Sequence, residues 1–188
     1  MNTKSQRTFE QDITRFVKLI FNSASATLAM VLIALGLLVS RANAATTVSV
    51  ADQDFIQAAA QGGMTEVKLG ELAGQKGLRD DVKEFGQMMV KDHTAINDDL
   101  KSLATQKGVT LPDSLDAKHQ GMVDKMAALT GSAFDDAYIA AMIKGHKQDA
   151  KAFKAESAAT TDADIKSFLD KSIPVVNAHL QHITAMKK

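Results

Sequence analysis

The stretch Phe85-Gly-Gln-Met-Met-Val-Lys-Asp-His93-Thr-Ala-Ile96 lies in the middle of the longest helical pattern in the sequence. At about 100° per residue, one narrow arc of this helix contains Val82, Gly86, Met89, His93, Ile96 and Leu100. His93 therefore falls inside the apolar stripe at mid-helix, where a titratable side chain must find a partner or stay neutral. We expect the other helices to be arranged around this histidine.

The first 44 residues have the composition of a secretory signal peptide. Basic residues precede an uncharged, mostly apolar run at residues 24–39, and Ala42-Asn43-Ala44 matches an A-x-A cleavage motif. We predict a Sec-type signal cleaved after Ala44 and an exported, periplasmic protein. The alternative is an uncleaved anchor, which we favour less because a bilayer span needs about 20 apolar residues.

Beyond the signal we predict a short leader at residues 45–51 and one domain at residues 52–188. Residues 1–44 hold five of the 22 Lys/Arg and two of the 22 Asp/Glu, which leaves 17 basic and 20 acidic residues in the mature chain. This balance argues against nucleic acid, which selects a clustered positive surface. We expect no stable membrane span after cleavage. Protein partners and the oligomeric state stay open.

The chain contains no cysteine, so it has neither disulfides nor thiolate metal ligands, and the fold must rest on its core. Periodicity predicts four long helices, which run from Asp52 to about Lys76, from Asp80 to Lys107, from Ser132 to about Ala158, and from a cap at residues 161–164 onward. A short amphipathic helix lies between Leu115 and Leu129, and no strand pattern occurs. The fold class is all-α: a ferritin-like four-helix bundle whose second and third long helices are joined by a crossover connector carrying the short helix.

Polar residues interrupt the apolar stripes at similar heights. Glu66, His93 and His146 lie near the midpoints of the first three long helices, and His179 lies a few residues past the middle of the fourth. Mid-helix residues share one level whichever way their helices run, so these four side chains can converge. An unpaired buried carboxylate costs several kcal/mol, and therefore Glu66 needs a partner.

Two interpretations of these four residues remain open, and we weight them about equally. Neutral imidazoles with a carboxylate suit one ion of zinc, copper, iron or manganese. The same groups can also form a purely structural hydrogen-bond network. Met89 and Met142, each one turn before a histidine, would favour copper, although we interpret them first as core filler.

Other polar residues receive lesser roles. Asp92, Asp149 and Glu156 are candidates for supporting the four central groups, but we favour solvated or salt-bridging roles for them. We interpret His119 as a packing residue of the short helix and His182 as solvated.

Several motifs resemble a bacterial family of exported ferritin-like proteins. They are Asp54-Phe-Ile-x-Ala-Ala-x-x-Gly-Gly-Met64-x-Glu66-Val, Met89-Val-x-Asp-His93, Gly108-Val-x-Leu-Pro112, Tyr138, His146 and His179-Leu. Members of this family are commonly labelled domain of unknown function or predicted outer-membrane protein. The resemblance covers about Asp52 to Met186 and implies a four-helix bundle in the cell envelope, without an activity to carry over.

Di-iron ferritins, by contrast, carry Glu-x-x-His on two helices. Here Val90 and Val176 occupy the positions three residues before His93 and His179. A redox enzyme is therefore the weakest hypothesis, and we favour a non-enzymatic role. The main hypothesis is a metal-binding envelope protein with ligands Glu66, His93, His146 and His179, and the alternative is a non-catalytic structural or stress-related protein.

Overall fold

The computed structural model describes residues 48–187, and this part of the chain is helical without any strand. The helices are α1 (Val50–Lys76), α2 (Asp80–Lys107), α3 (Ala117–Ala127), α4 (Gly131–Ala159) and α5 (Ala163–Met186). The prediction of an all-helical bundle is confirmed. The predicted signal peptide lies outside the described residues. No helix within residues 48–187 combines the length and apolar character needed to cross a membrane.

Local caps set the helix ends. Helix α1 begins two residues earlier than predicted because Ser49, not Asp52, is its N-cap: the Ser49 hydroxyl accepts from the Asp52 N–H at 3.0 Å. Helix α2 has the predicted bounds, and Gly108 ends it in the left-handed region at φ 67°. At the start of α5, one carboxylate oxygen of Asp162 accepts from the N–H groups of residues 164 and 165.

The long helices form two tightly packed pairs. Helix α1 lies along α2, and α4 lies along α5; α2 also contacts α5, α1 contacts α4, and α3 packs mainly against α1. The Asp135 carboxylate accepts from the backbone N–H groups of Leu78 at 3.0 Å and Arg79 at 2.9 Å. Lys107 and Asp162 form an ion pair at 2.6 Å. The start of α4 thus meets the α1–α2 turn, and the end of α2 meets the start of α5.

Two apolar clusters fill the bundle, one toward each end. The first contains Leu69, Phe85, Met89, Met142 and Ile183 among others, and the second contains Ile56, Leu100, Phe153, Ile165 and Val176 among others. On every long helix, one buried titratable residue lies between the residues of the two clusters. These residues are Glu66 on α1, His93 on α2, His146 on α4 and His179 on α5. The bundle therefore has a polar layer at its middle.

Glycines let α1 and α2 touch through their backbones. A Cβ on Gly86 would lie 2.7 Å from the Gly70 carbonyl oxygen, and a Cβ on Gly70 would lie 2.8 Å from the Gly86 carbonyl oxygen. The sequence also indicates Gly62 and Gly63 for such an approach, because two adjacent glycines in mid-helix cost about 1 kcal/mol each against alanine and border the inner face. Gly63 abuts the Asn97 side chain, whereas Gly62 has open space around it. The closest backbone approach lies nearer the α1–α2 turn than the sequence indicated.

The Gly86→Ala substitution should destabilise the protein by about 2–4 kcal/mol, because the new methyl group overlaps backbone atoms that move only if α1 and α2 separate. Gly62→Ala is the matched control. It should stabilise by about 0.5–1 kcal/mol, since alanine is the better helix former where space is open. Urea unfolding followed by circular dichroism measures both. Equal effects of the two substitutions would contradict the close contact.

Candidate metal centre

Three histidines from three helices meet at the middle of the bundle. His93, His146 and His179 are 3%, 0% and 2% exposed. Their ring centroids are 5.6 Å apart for His93–His146, 5.2 Å for His93–His179 and 5.5 Å for His146–His179. One ring nitrogen from each lies within 4.8 Å of the other two. Ligand bonds of about 2 Å space donors roughly 3.5 Å apart, so small ring movements would let one ion touch all three nitrogens.

The fourth predicted residue, Glu66, joins this cluster from α1. Its Oε2 lies 2.9 Å from Nδ1 of His93, and its Oε1 lies 3.6 Å from Nδ1 of His146. Glu66 is 8% exposed, so this carboxylate is removed from water together with the rings. The predicted convergence of one glutamate and three histidines is thus present. The carboxylate meets the Nδ1 side of both neighbouring rings.

Each histidine gives one ring nitrogen to a partner within the protein. His93 Nδ1 lies 2.9 Å from Oε2 of Glu66. His146 Nδ1 donates to the carbonyl oxygen of Met142, one turn earlier on α4, at 2.9 Å. His179 Nε2 donates to Oδ2 of Asp92 at 3.0 Å. Because all three partners are acceptors, each interaction places the proton of the neutral ring on the bonded nitrogen.

The other nitrogen of each ring therefore carries a lone pair. These atoms are His93 Nε2, His146 Nε2 and His179 Nδ1, and all three are buried without a hydrogen-bond partner. Leaving a buried polar atom unpaired costs about 1–3 kcal/mol. A structural hydrogen-bond network would use these atoms. In metal sites, by contrast, a hydrogen bond to one ring nitrogen orients the imidazole, and the lone pair of the other nitrogen is left for the ion.

Burial also keeps the three rings neutral. It lowers the pKa of His93 to about 4, although the carboxylates of Asp149 and Asp92 oppose the shift. Burial likewise lowers the pKa of His146 and of His179, and the mutual repulsion of the protonated rings adds to the effect. Neutral imidazole is the form that binds metals. Burial therefore favours the metal-binding form of all three rings.

A second carboxyl group, Asp149 of α4, supports Glu66. Burial, the nearby Glu66 charge and a hydrogen bond with Glu66 raise the pKa of Asp149 to about 8. Burial also raises the pKa of Glu66, while His146 and the hydrogen bond from Asp149 lower it. Two neighbouring carboxyl groups whose pKa values are both raised can hold one proton between them.

Apolar side chains surround the polar layer. The Phe85 ring centroid lies 6.1 Å from that of His179 and 6.5 Å from that of His146, in edge-to-face geometry. Met89 and Met142 are buried in the first apolar cluster, which supports their interpretation as core filler. A void of about 20 Å³ adjoins Glu66, His93 and Asp149. It has room for about one water molecule.

The remaining polar candidates lie elsewhere or play other parts. His119 is not simply a packing residue, since its Nδ1 lies 2.8 Å from Oδ1 of Asp116 at the start of α3. His182 is exposed, as predicted. Glu156 belongs to a separate carboxyl pair with Asp52, in which burial and the Asp52 carboxyl raise the pKa of Glu156 to about 7.

Asp92 has the salt-bridging role that the sequence favours, since its Oδ2 pairs with Nε2 of His179 at 3.0 Å between α2 and α5. Asp149 is instead half-buried beside Glu66, where burial and the Glu66 charge raise its pKa. The useful signal was position: Asp92 flanks the apolar stripe beside His93, and Asp149 follows His146 by one turn. An acidic residue at the edge of an apolar helix face that contains a buried histidine lies close enough to contact the neighbouring helix.

The fold and this site define the class: an all-helical bundle with a buried histidine cluster. The family described as "Domain of unknown function (DUF4142)" matches residues 38–186, and the chain belongs to this family. No functionally curated protein matches the sequence.

Two solved structures resemble the fold. A DUF305 fragment from Deinococcus radiodurans superposes with a TM-score of 0.65 at 9% identity, covering 73% of this chain and 95% of that one. CopM in its Cu(I)-bound form gives a TM-score of 0.61 at 19% identity, covering 72% of this chain and 94% of that one. These likenesses support the helical bundle and are consistent with the ferritin-like arrangement.

The shared proton predicts a pH-dependent effect of Asp149→Asn on the metal-free protein. The folded-state pKa of about 8 exceeds that of an unfolded aspartate, so the wild type loses stability as pH rises from about 4 to 8. The asparagine amide keeps the hydrogen bond to Glu66 without this loss. Relative to that of the wild type, the free energy of unfolding of the variant should therefore rise by at least about 1 kcal/mol between pH 5 and pH 8.

Chemical unfolding at pH 5 and pH 8 measures this gain, with the exposed Asp170→Asn as the control for the change in net charge. A stability difference between wild type and Asp149→Asn that is the same at both pH values would contradict proton sharing.

Proposed function

We propose that the protein binds one transition-metal ion in the bundle core through the imidazoles of His93, His146 and His179. Two observations carry the proposal: three buried histidines lie close enough to share one ion, and each keeps one buried ring nitrogen without a partner in the protein. Each ring also has a partner at its other nitrogen, so the donors are preorganised and little ordering is left for the ion to impose.

In this proposal Glu66 has one of two closely related roles. Its contact with His93 Nδ1 orients that ring and increases its basicity. Its other oxygen, Oε1, has no hydrogen-bond partner and is buried at the same level, so it is available as a fourth donor. The set of Glu66 and three histidines expected from the sequence is therefore kept, with the imidazoles as the primary ligands.

Copper is the ion we favour, and zinc is the alternative. Imidazole donors suit both metals. Zinc takes four ligands in tetrahedral geometry, which here would require Glu66 or a water molecule. CopM, one of the proteins that share the fold, has been solved with Cu(I) bound, which adds weight to copper. Iron is less favoured because no Glu-x-x-His motif accompanies His93 or His179.

The competing function is a structural protein whose histidines and acids only hold the helices in register. The contacts of Glu66 with His93 and of Asp92 with His179 fit that idea. A purely structural role does not explain the three ring nitrogens that have no partner. The free-energy cost of leaving them unpaired would select against such a network. We therefore rank it second.

We also propose the ferritin-like connectivity, in which residues 108–130 cross the bundle from one end to the other. The contact of Asp135 with the α1–α2 turn supports it, since α4 then starts at the same end as α2. The ion pair of Lys107 with Asp162 supports the matching arrangement at the opposite end.

We further propose that the protein acts in the periplasm. The support is the sequence alone: basic residues, the apolar run at 24–39 and Ala42-Asn43-Ala44. Expression of the full chain in a Gram-negative host should give a periplasmic product that begins at Ala45 by N-terminal sequencing. A cytoplasmic product, or a membrane-bound one that retains residues 1–44, would contradict this.

Metal binding is tested on protein purified without a histidine tag. Titration with Cu(I) from its bicinchoninate complex, and separately with Zn²⁺, should give one equivalent bound. His146→Gln should weaken binding at least 100-fold, because it removes one of three ligands. The bound ion should also raise the free energy of unfolding, by about 2.7 kcal/mol when its free concentration is 100 times Kd.

His119→Gln is the matched control, since it changes a histidine outside the cluster and should leave affinity unchanged. Circular dichroism checks that each variant is folded. Wild-type protein that takes up neither ion, or equal affinities of the two variants, would overturn the proposed function.

A further inference from the structure

We infer that the ion reaches the core along the seam between α2 and α5, guided by Asp92 and the exposed His182. This inference rests on the proposed metal binding and adds how the same site is loaded. Neither residue is among the proposed ligands.

Burial of the ligands makes an access route necessary. The three histidines are at most 3% exposed, and the layer they form lies between two apolar clusters. A cation cannot cross an apolar cluster without a large loss of solvation free energy. It must instead pass through groups that replace its water molecules one at a time, and such groups have to lie partly at the surface.

Asp92 meets this requirement on α2. Its side chain is 31% exposed, yet its Oδ2 contacts Nε2 of His179, whose side chain is 3% exposed. One carboxylate therefore links solvent to a proposed ligand in a single step. Its negative charge also attracts cations to this side of the bundle.

His182 extends the path outward on α5. It lies three residues after His179, which places the two rings on neighbouring turns of one helix face. The exposed His182 ring packs edge-on against Phe85, with centroids 5.4 Å apart, and the Phe85 centroid lies 6.1 Å from that of His179. Two imidazoles and a carboxylate thus mark one continuous strip from the surface to the cluster.

The opposite side of the cluster offers a poorer path. Asp149 is half-buried there, beside Glu66. The void on this side adjoins Glu66, His93, Asn97 and Asp149, is only about 20 Å³, and is also lined by Phe153 and Phe168. It has room for about one water molecule, so a hydrated ion does not fit into it.

A guiding group differs from a ligand in its kinetic effect. It lowers the barrier for uptake and for release equally, because it contacts the ion in transit but not in the final state. Removing it slows both rates by the same factor and leaves the dissociation constant unchanged. Removing a ligand instead raises the dissociation constant, mainly through faster release.

The test compares His182→Gln with His119→Gln in the full mature chain. Stopped-flow transfer of Cu(I) from its bicinchoninate complex measures uptake, and transfer back to excess bicinchoninate measures release. In His182→Gln we expect uptake and release each to be at least threefold slower than in the wild type, with Kd within twofold. His119→Gln should match the wild type in both rates.

Unchanged rates in His182→Gln, with wild-type affinity, would overturn this inference and leave the proposed function standing. A weaker Kd with faster release would also overturn it, by making His182 a ligand. Wild-type protein that binds no Cu(I) would remove the proposed function and this inference together.

Discussion

The contact between Oε2 of Glu66 and Nδ1 of His93, 2.9 Å long and buried at the centre of the bundle, is the constraint on which the other features depend. A carboxylate there is tolerated only with nearby donors. His93 supplies one, and Asp149 supplies another through the shared proton. The His93 ring in turn packs against those of His146 and His179, with centroids 5.6 Å and 5.2 Å away. Glu66 thus accounts for the raised pKa of Asp149 and for the orientation of the His93 ring.

This constraint also specifies how the helices align. A shift of any long helix by one turn would move its polar residue into one of the two apolar clusters and leave the other polar groups unpaired. Apolar side chains alone tolerate such shifts, since they fill space without fixed partners. The polar layer therefore costs some stability but selects one register, a role documented for single polar residues in coiled coils.

Much of the fold could be predicted because its signals are local. The stripe of α5 from Ile165 to Met186 is buried throughout, and the bounds of α2 follow from its acidic start and from Gly108. Helix α1 starts two residues earlier than predicted because Ser49 caps it, and α4 starts one residue earlier, directly after Thr130. Helical periodicity fixes which face is buried, but not which of several similar residues ends a helix.

The four central residues were also visible in the sequence, as polar side chains at equal heights in apolar stripes. Their individual hydrogen bonds were not. The choice between Glu66 and Asp92 as the partner of a given ring depends on how neighbouring helices are rotated, and that is a property of the tertiary structure. The same holds for the void beside Glu66 and for the contact of Gly70 with Gly86, since both depend on interhelical distances of a few tenths of an ångström.

The three imidazoles do not belong to one hairpin. His93 is on α2, paired with α1, whereas His146 and His179 are on α4 and α5. An ion held by all three would be a crosslink between the two halves of the bundle, closing a loop of chain that extends from His93 to His179. The hairpins could then separate only by breaking ligand bonds. Partial opening, which exposes amides to exchange and backbone to proteases, would become as rare as global unfolding.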